Sequence, residues 1–225
     1  MINNPQKLLN VVVLISGNGS NLQAIIDATL NHRLDIHLCG VISNCQEAYG
    51  LLRAQRAGIK HFVIAHQQFP NRNAFERALA KQIQALHADL IVLAGFMRIL
   101  GNDFVAQFEG KIINIHPSLL PQYKGLETHQ RALAAHDTEH GASVHFVTQN
   151  LDDGPIIAQY KVPILSTDTV ESLKARVQDA EHQLYPTVIH WFAQEKFNFD
   201  GKNYYFEGKK ITNQEPAVML PTSQN

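Results

Sequence analysis

Asn114 and His116 are the residues on which chemistry is most readily built. They lie in the run 112–121, which reads Ile-Ile-Asn-Ile-His-Pro-Ser-Leu-Leu-Pro. Residues two apart on a strand share a face, so this amide and this imidazole project together. Pro117 has no backbone N–H and disfavours helix at the residue before it, which leaves His116 at the last extended position. The amide can donate to an oxygen that turns negative during acyl addition. The imidazole can do likewise when protonated, or move a proton between an attacking amine and a leaving nitrogen. A protonated imidazole near neutral pH needs an anion, and Asp152 or Asp153 in the turn 151–155 can supply one. There is no G-x-S-x-G elbow and no strong cysteine nucleophile, so an acyl-enzyme lacks a carrier. The set suits direct acyl transfer between two bound substrates, with proximity carrying much of the rate. Taken alone, the decapeptide equally fits a histidine that merely closes a strand.

The elements around it must do the positioning. The apolar run 8–15 predicts a parallel strand buried on both faces. It opens into Ser-Gly-Asn-Gly-Ser-Asn (16–21) and then a helix, the layout of a phosphate cradle with helix N–H groups facing the anion. Leu22 stands where a dinucleotide fingerprint has its third glycine, and the second strand, 36–42, ends in Ser43 and Asn44 rather than an acid. No Lys-Ser/Thr ending marks a nucleotide loop, so a simple phosphate ester remains, with a plain tight turn as the alternative.

Helices over 47–57 and from 71, with strands at 60–64 and 89–94, predict an α/β fold: a doubly wound, mostly parallel sheet flanked by helices. The apolar loop Gly-Phe-Met-Arg-Ile-Leu (95–100) reads either as packing or as a pocket for a flat ring. The stretch 119–141 is long and weakly structured, with a short helix near 130–135, and suggests a lid. Alternation over 141–148 predicts a switch to antiparallel pairing, followed by a strand at 156–164. A long helix spans 169–194, expected to bend at Pro186, with Gln178 and Glu181 on a face that reads as solvated. A terminal hairpin over 197–211 and a mobile tail after 212 complete the chain.

A length of 225 residues, 45% hydrophobic, suits one domain over 1–225, with its core at about 8–195 and a C-terminal hairpin and tail at 196–225. The formal net charge of -1 gives no signal for nucleic acid or an anionic membrane. Residues 1–7 carry no signal-peptide pattern, and Cys39 and Cys45 are too few for a disulfide framework, so a reducing, cytoplasmic setting is expected. Among 12 histidines there is neither H-E-x-x-H nor C-x-x-C, so no metal is expected.

The segments 16–23, 95–100, 114–121, 141–147 and 151–155, in that order, closely resemble the phosphoribosylglycinamide formyltransferase family, the folate-dependent enzymes of purine synthesis. The likeness runs from about residue 10 to 193. It implies a formyltransferase-like fold in which the amine of glycinamide ribonucleotide attacks the formyl carbon of 10-formyltetrahydrofolate, a cosubstrate, with no metal. By that resemblance Asn114 and His116 stabilise the intermediate and move protons, while Asp152 favours the protonated imidazole. Gly19, Ser20 and Asn21 hold the ribonucleotide phosphate, and Gln178 and Glu181 its ribose and glycinamide, against the solvated reading of that face. Folate rests on Met97, Arg98, Ile99, Leu100, Asn114 and Asp152, with Arg72 near its tail. Partners are then small-molecule substrates, with neither nucleic acid nor membrane, and the protein a monomer or weak homodimer.

Glu127 stands where the family's lid often has histidine, and the terminal hairpin matches no family motif. Rivals are a formyltetrahydrofolate hydrolase, a formyltransferase acting on charged initiator tRNA, and a noncatalytic folate- or phosphate-binding relative. The first two usually carry an extra N- or C-terminal domain, and the low net charge argues against a large RNA footprint. A mere binder has no need of Asn114, His116 and Asp152 together.

Overall fold

The computed structural model describes residues 7–220. The reading of residues 1–6 as no leader, and of 221–225 as mobile, falls outside them. One eight-stranded sheet carries the chain, in the order β11-β7-β6-β5-β4-β1-β2-β3. Its parallel part is β1 (Leu9–Ile15), β2 (Ile36–Ser43), β3 (His61–Val63), β4 (Leu90–Leu93) and β5 (Ile112–His116). Val11 to Ile15 are wholly buried, as expected for a strand covered on both faces.

Beyond β5 the direction changes as the alternation predicts. β6 (Glu139–Phe146) and β7 (Ile156–Pro163) pair antiparallel, with Asn114 opposite His145 and His116 opposite Ser143. Two apolar layers sandwich the sheet. One lies under α1 (Ser20–Leu30), α2 (Tyr49–Arg56) and α6 (Val170–Ala193), the other under α3 (Arg72–Ala85) and α4 (Asn102–Gln107). α5 (Thr128–Ala134) closes the long segment after β5.

α6 starts at a capping box between Thr169 and Ser172 and runs through Pro186 as one helix. It buries Leu173, Val177, Leu184, Val188 and Ile189, each adding about 1.5–3 kcal/mol of apolar transfer. The buried Tyr185 hydroxyl reaches the carbonyls of Leu93 (2.9 Å) and Ile113 (3.1 Å), tying the helix to β4 and β5.

Two C-terminal expectations change. The hairpin is a three-stranded antiparallel sheet of β8 (Phe197–Phe199), β9 (Tyr204–Phe206) and β10 (Lys209–Lys210). The tail is not free up to residue 220, since β11 (Val218–Leu220) adds in parallel to β7. An edge strand with unmet backbone groups is a ready template, and the tail fills it. α4 was not foreseen: it follows the apolar loop and packs Phe104 and Val105 inward.

Candidate active site

The chain turns sharply where β1 meets α1. Gly19 sits at φ +74°, and a Cβ there would lie 2.8 Å from the Cα of Gly50. The Gly50 N–H donates to the Gly17 carbonyl at 3.1 Å, so two backbones touch where side chains would part them. Arg53 of α2 holds the tip, donating to the Asn18 carbonyl (2.9 Å) and to Asn18 Oδ1 (3.0 Å). Ser20 and Asn21 then open α1, and the first N–H groups of a helix have no partner within it.

α6 crosses this turn, which corrects the solvated reading at Glu181 but not at Gln178, which is exposed. Gln178 Nε2 donates to Ser20 Oγ at 2.8 Å, and Asn21 Nδ2 donates to Glu181 Oε2 at 2.8 Å. Asn21 and Glu181 are both buried, and burial pushes the Glu181 carboxyl up to about 7. Asn21 Oδ1 is buried without a partner. A lone acceptor beside a poised carboxyl is what a donor-rich ligand would complete.

Across the sheet edge lies the second cluster. His116 is buried, with Nδ1 3.4 Å from Asp152 Oδ2 and Nε2 2.9 Å from the Tyr123 carbonyl. A carbonyl only accepts, so Nε2 carries a hydrogen and the ring is pinned with Nδ1 towards Asp152. Asp152 sits at φ +48° in the turn after β6 and accepts from the Gly125 N–H through the same Oδ2, at 3.1 Å. Next to it Lys124 pairs with Asp153 at 2.5 Å, holding that carboxyl below its usual value.

Sequence reasoning missed His145. Its Nδ1 faces the Phe146 carbonyl at 2.9 Å, so Nε2 is the acceptor that takes the Asn114 Nδ2–H at 3.2 Å. Burial pulls the ring's pKa down and so favours the neutral form that these two hydrogen-bond roles describe, in which the 3.7 Å approach to Asp152 is no ion pair. This neutral acceptor turns the Asn114 amide nitrogen towards the cluster and leaves its second hydrogen free. The antiparallel register that sets Asn114 opposite His145 emerges only from the pairing of β5 with β6.

The loop after β4 divides in two. Phe96 and Leu100 are buried in the core, whereas Met97 and Ile99 are 70% and 65% exposed and Arg98 is exposed beside them. Arg72 is near the end of this loop, joined to it through Glu76, which accepts from Arg72 Nε at 2.9 Å and from the Gly101 N–H at 2.7 Å. A cavity of about 270 Å³ lies between α4 and the segment after β6, lined by Val105, Ala106, Val147, Thr148 and Asn150 and floored by Tyr204. The structure thus gathers Asn114, His116 and Asp152 in one place and Gly19, Ser20, Asn21, Gln178 and Glu181 in another. Among the described residues no group of three or more His, Cys, Asp or Glu side chains is placed to hold a metal ion.

A profile of the formyl transferase family matches residues 9–189. Phosphoribosylglycinamide formyltransferase of Escherichia coli is 48% identical over 93% of this chain and 99% of its own length. The trifunctional purine biosynthetic protein adenosine-3 of Drosophila melanogaster is 47% identical over 82% of this chain, which spans 14% of that longer protein. The solved structure of the phosphoribosylglycinamide formyltransferase of Coxiella burnetii in complex with CHES superposes with a TM-score of 0.90, at 51% identity, over 96% of this chain and 100% of that one.

Proposed function

The chain belongs to the formyl transferase family, among its phosphoribosylglycinamide formyltransferases, and on that premise we propose which of its groups perform each step. The enzyme transfers a formyl group to the amine of phosphoribosylglycinamide in purine biosynthesis. The donor in our reading is 10-formyltetrahydrofolate, which supplies an electrophilic formyl carbon. The exposed apolar Met97 and Ile99 suit its flat ring, with Arg98 exposed beside them and Arg72 towards an acidic tail.

The turn at Gly19, Ser20 and Asn21 takes the phosphate, and Gln178 and Glu181 take the ribose and glycinamide. Asn21 Oδ1 and the Glu181 carboxyl are acceptors there for the hydroxyl and N–H groups of that substrate. When the amine adds to the formyl carbon, charge develops on the formyl oxygen. Asn114 Nδ2 donates to it with the hydrogen that His145 does not use. His116 presents Nδ1, the ring nitrogen without a short hydrogen bond, and Asp152 stabilises the proton it carries. That proton goes to the folate nitrogen as its bond to the formyl carbon breaks, and the attacking amine returns a proton to His116 Nδ1, so the ring ends as it began.

The observation that carries this reading is the Asn114–His116–Asp152 cluster beside a separate phosphate turn. The test is spectrophotometric release of deformylated folate from a 10-formylfolate donor, with and without the ribonucleotide. Release that requires the ribonucleotide is expected. Release without it would make the protein a hydrolase, and binding of folate with no release at all would make it a noncatalytic relative.

A further inference from the structure

Ser16 opens the glycine turn, and its place in the sequence suggests service to the phosphate. Its hydroxyl faces the other way. It donates to Asn44 Oδ1 at 2.5 Å and accepts from the backbone N–H of Met97 at 2.7 Å. The Ser16 N–H meets the Gly95 carbonyl at 3.1 Å, and Asn44 Nδ2 lies 3.1 Å from His66 Nδ1. Met97, Ser16, Asn44 and His66 follow β4, β1, β2 and β3, which is the order of those strands in the sheet. Side chains therefore continue the ladder at the carboxyl edge, where backbone pairing stops.

The loop that receives this bond is otherwise anchored at its ends, where the Gly95 carbonyl accepts from the Ser16 N–H and the Gly101 N–H donates to Glu76. Gly95 is at φ +75° with open space around its Cα, and the Met97 side chain is 70% exposed. Apolar packing begins only at the flanking Phe96 and Leu100. A backbone N–H in such a turn is held either by a partner or by water, and the Ser16 hydroxyl is that partner.

We propose that Ser16 is a positioning residue for the formylfolate site and not for the phosphate, its hydroxyl setting the turn that presents Met97 and Ile99 to the ring. The proposal rests on reading the 95–100 loop as the folate surface. It gives the glycine turn two jobs on opposite sides: N–H groups for one substrate and the Ser16 hydroxyl for the other. Asn44 acts behind Ser16, orienting its hydroxyl hydrogen so that an oxygen lone pair meets Met97.

The experiment is steady-state kinetics on the full chain, with the KM of a 10-formylfolate donor and the KM of the ribonucleotide measured separately. Ser16→Ala should raise the donor KM about three- to ten-fold, the effect of losing one ordinary hydrogen bond to an exposed N–H that water meets less rigidly. The ribonucleotide KM should stay within about two-fold, and Ser16→Thr, which keeps the hydroxyl, should recover most of the loss. Asn44→Ala should shift the same KM by a smaller factor, and it carries the test should Ser16→Ala not fold. A rise in the ribonucleotide KM, an equal rise in both, or no change in either would overturn the proposal. Wild-type protein that never binds the formylfolate would instead sink the folate reading on which it rests.

Discussion

The ribonucleotide turn and the formyl-transfer cluster sit at the same edge of one sheet but are held by different means. The turn lies between β1 and α1 and is braced by α2 and α6, all regular elements whose cores are wholly buried. Moving Asn21 or Glu181 means disturbing the packing of α1 on α6. The cluster instead leans on residues 117–127, a stretch with neither helix nor strand until Thr128. The Tyr123 carbonyl on His116, the Gly125 N–H on Asp152 and the Lys124–Asp153 pair hold it down. Its root is firmer: Ser143 Oγ donates to the Ser118 carbonyl at 2.6 Å, and Gln159 Nε2 to the Leu120 carbonyl at 2.7 Å. These part-buried contacts are worth about 1 kcal/mol each, and we propose that the stretch opens while the fold stays whole. In our reading the phosphate site is built with the fold, while the transfer centre is completed by a segment proposed to lift for substrates and close to exclude water.

Substitutions that touch one region and spare the other sharpen this contrast. The largest effect is expected from Asp152→Asn, which leaves His116 without its anion. Turnover should fall by about 10²-fold or more while the ribonucleotide KM holds, and unchanged turnover would remove Asp152 from the mechanism.

A stability difference should mark the other region. Burial raises the Glu181 carboxyl from 4.5 to about 7. A group whose pKa rises on folding contributes stability that is complete below its unfolded value and is lost as pH climbs through its folded value. The wild type should therefore lose a few kcal/mol from this site between about pH 4.5 and pH 8. Glu181→Gln cannot ionise and should melt several degrees higher than wild type at pH 8 in the absence of substrate, with the gap closing near pH 4.5. A gap independent of pH would mean that the carboxyl is not desolvated.

The smallest effect belongs to the latch. Lys124→Ala should increase amide exchange over residues 122–126 about two- to five-fold and leave exchange in α1 and α6 untouched. Salt at 1 M should reproduce part of that change in the wild type, because the pair is partly exposed. Equal loosening of α1 would contradict a separation between the regions.

In both regions the sequence made legible the residues set by local backbone geometry and hid those whose task depends on a neighbouring element. Ser16 to Asn21 between an apolar strand and a helix carry their geometry in their residue types, since glycine is what a left-handed, close-packed turn demands. Asn114 and His116 could be placed by strand period alone. Glu181 misled the local reading, because polar residues spaced i, i+3 look solvated until the neighbouring helix is known. Its role came only from resemblance. His145 was hidden for a similar reason: its task depends on which residue of β5 it faces, a register fixed by pairing rather than composition. The tail misled as well, because its composition says nothing of the open edge of β7 that it fills.

The claim that one region binds the ribonucleotide while the other moves the formyl group is tested most directly by titrating the ribonucleotide into His116→Ala and Asn21→Ala side by side in a calorimeter. The account predicts that His116→Ala binds within about two-fold of wild type, whereas Asn21→Ala, stripped of a buried amide partner, binds at least about ten-fold more weakly. Equal weakening in both, or loss of affinity in His116→Ala alone, would contradict it.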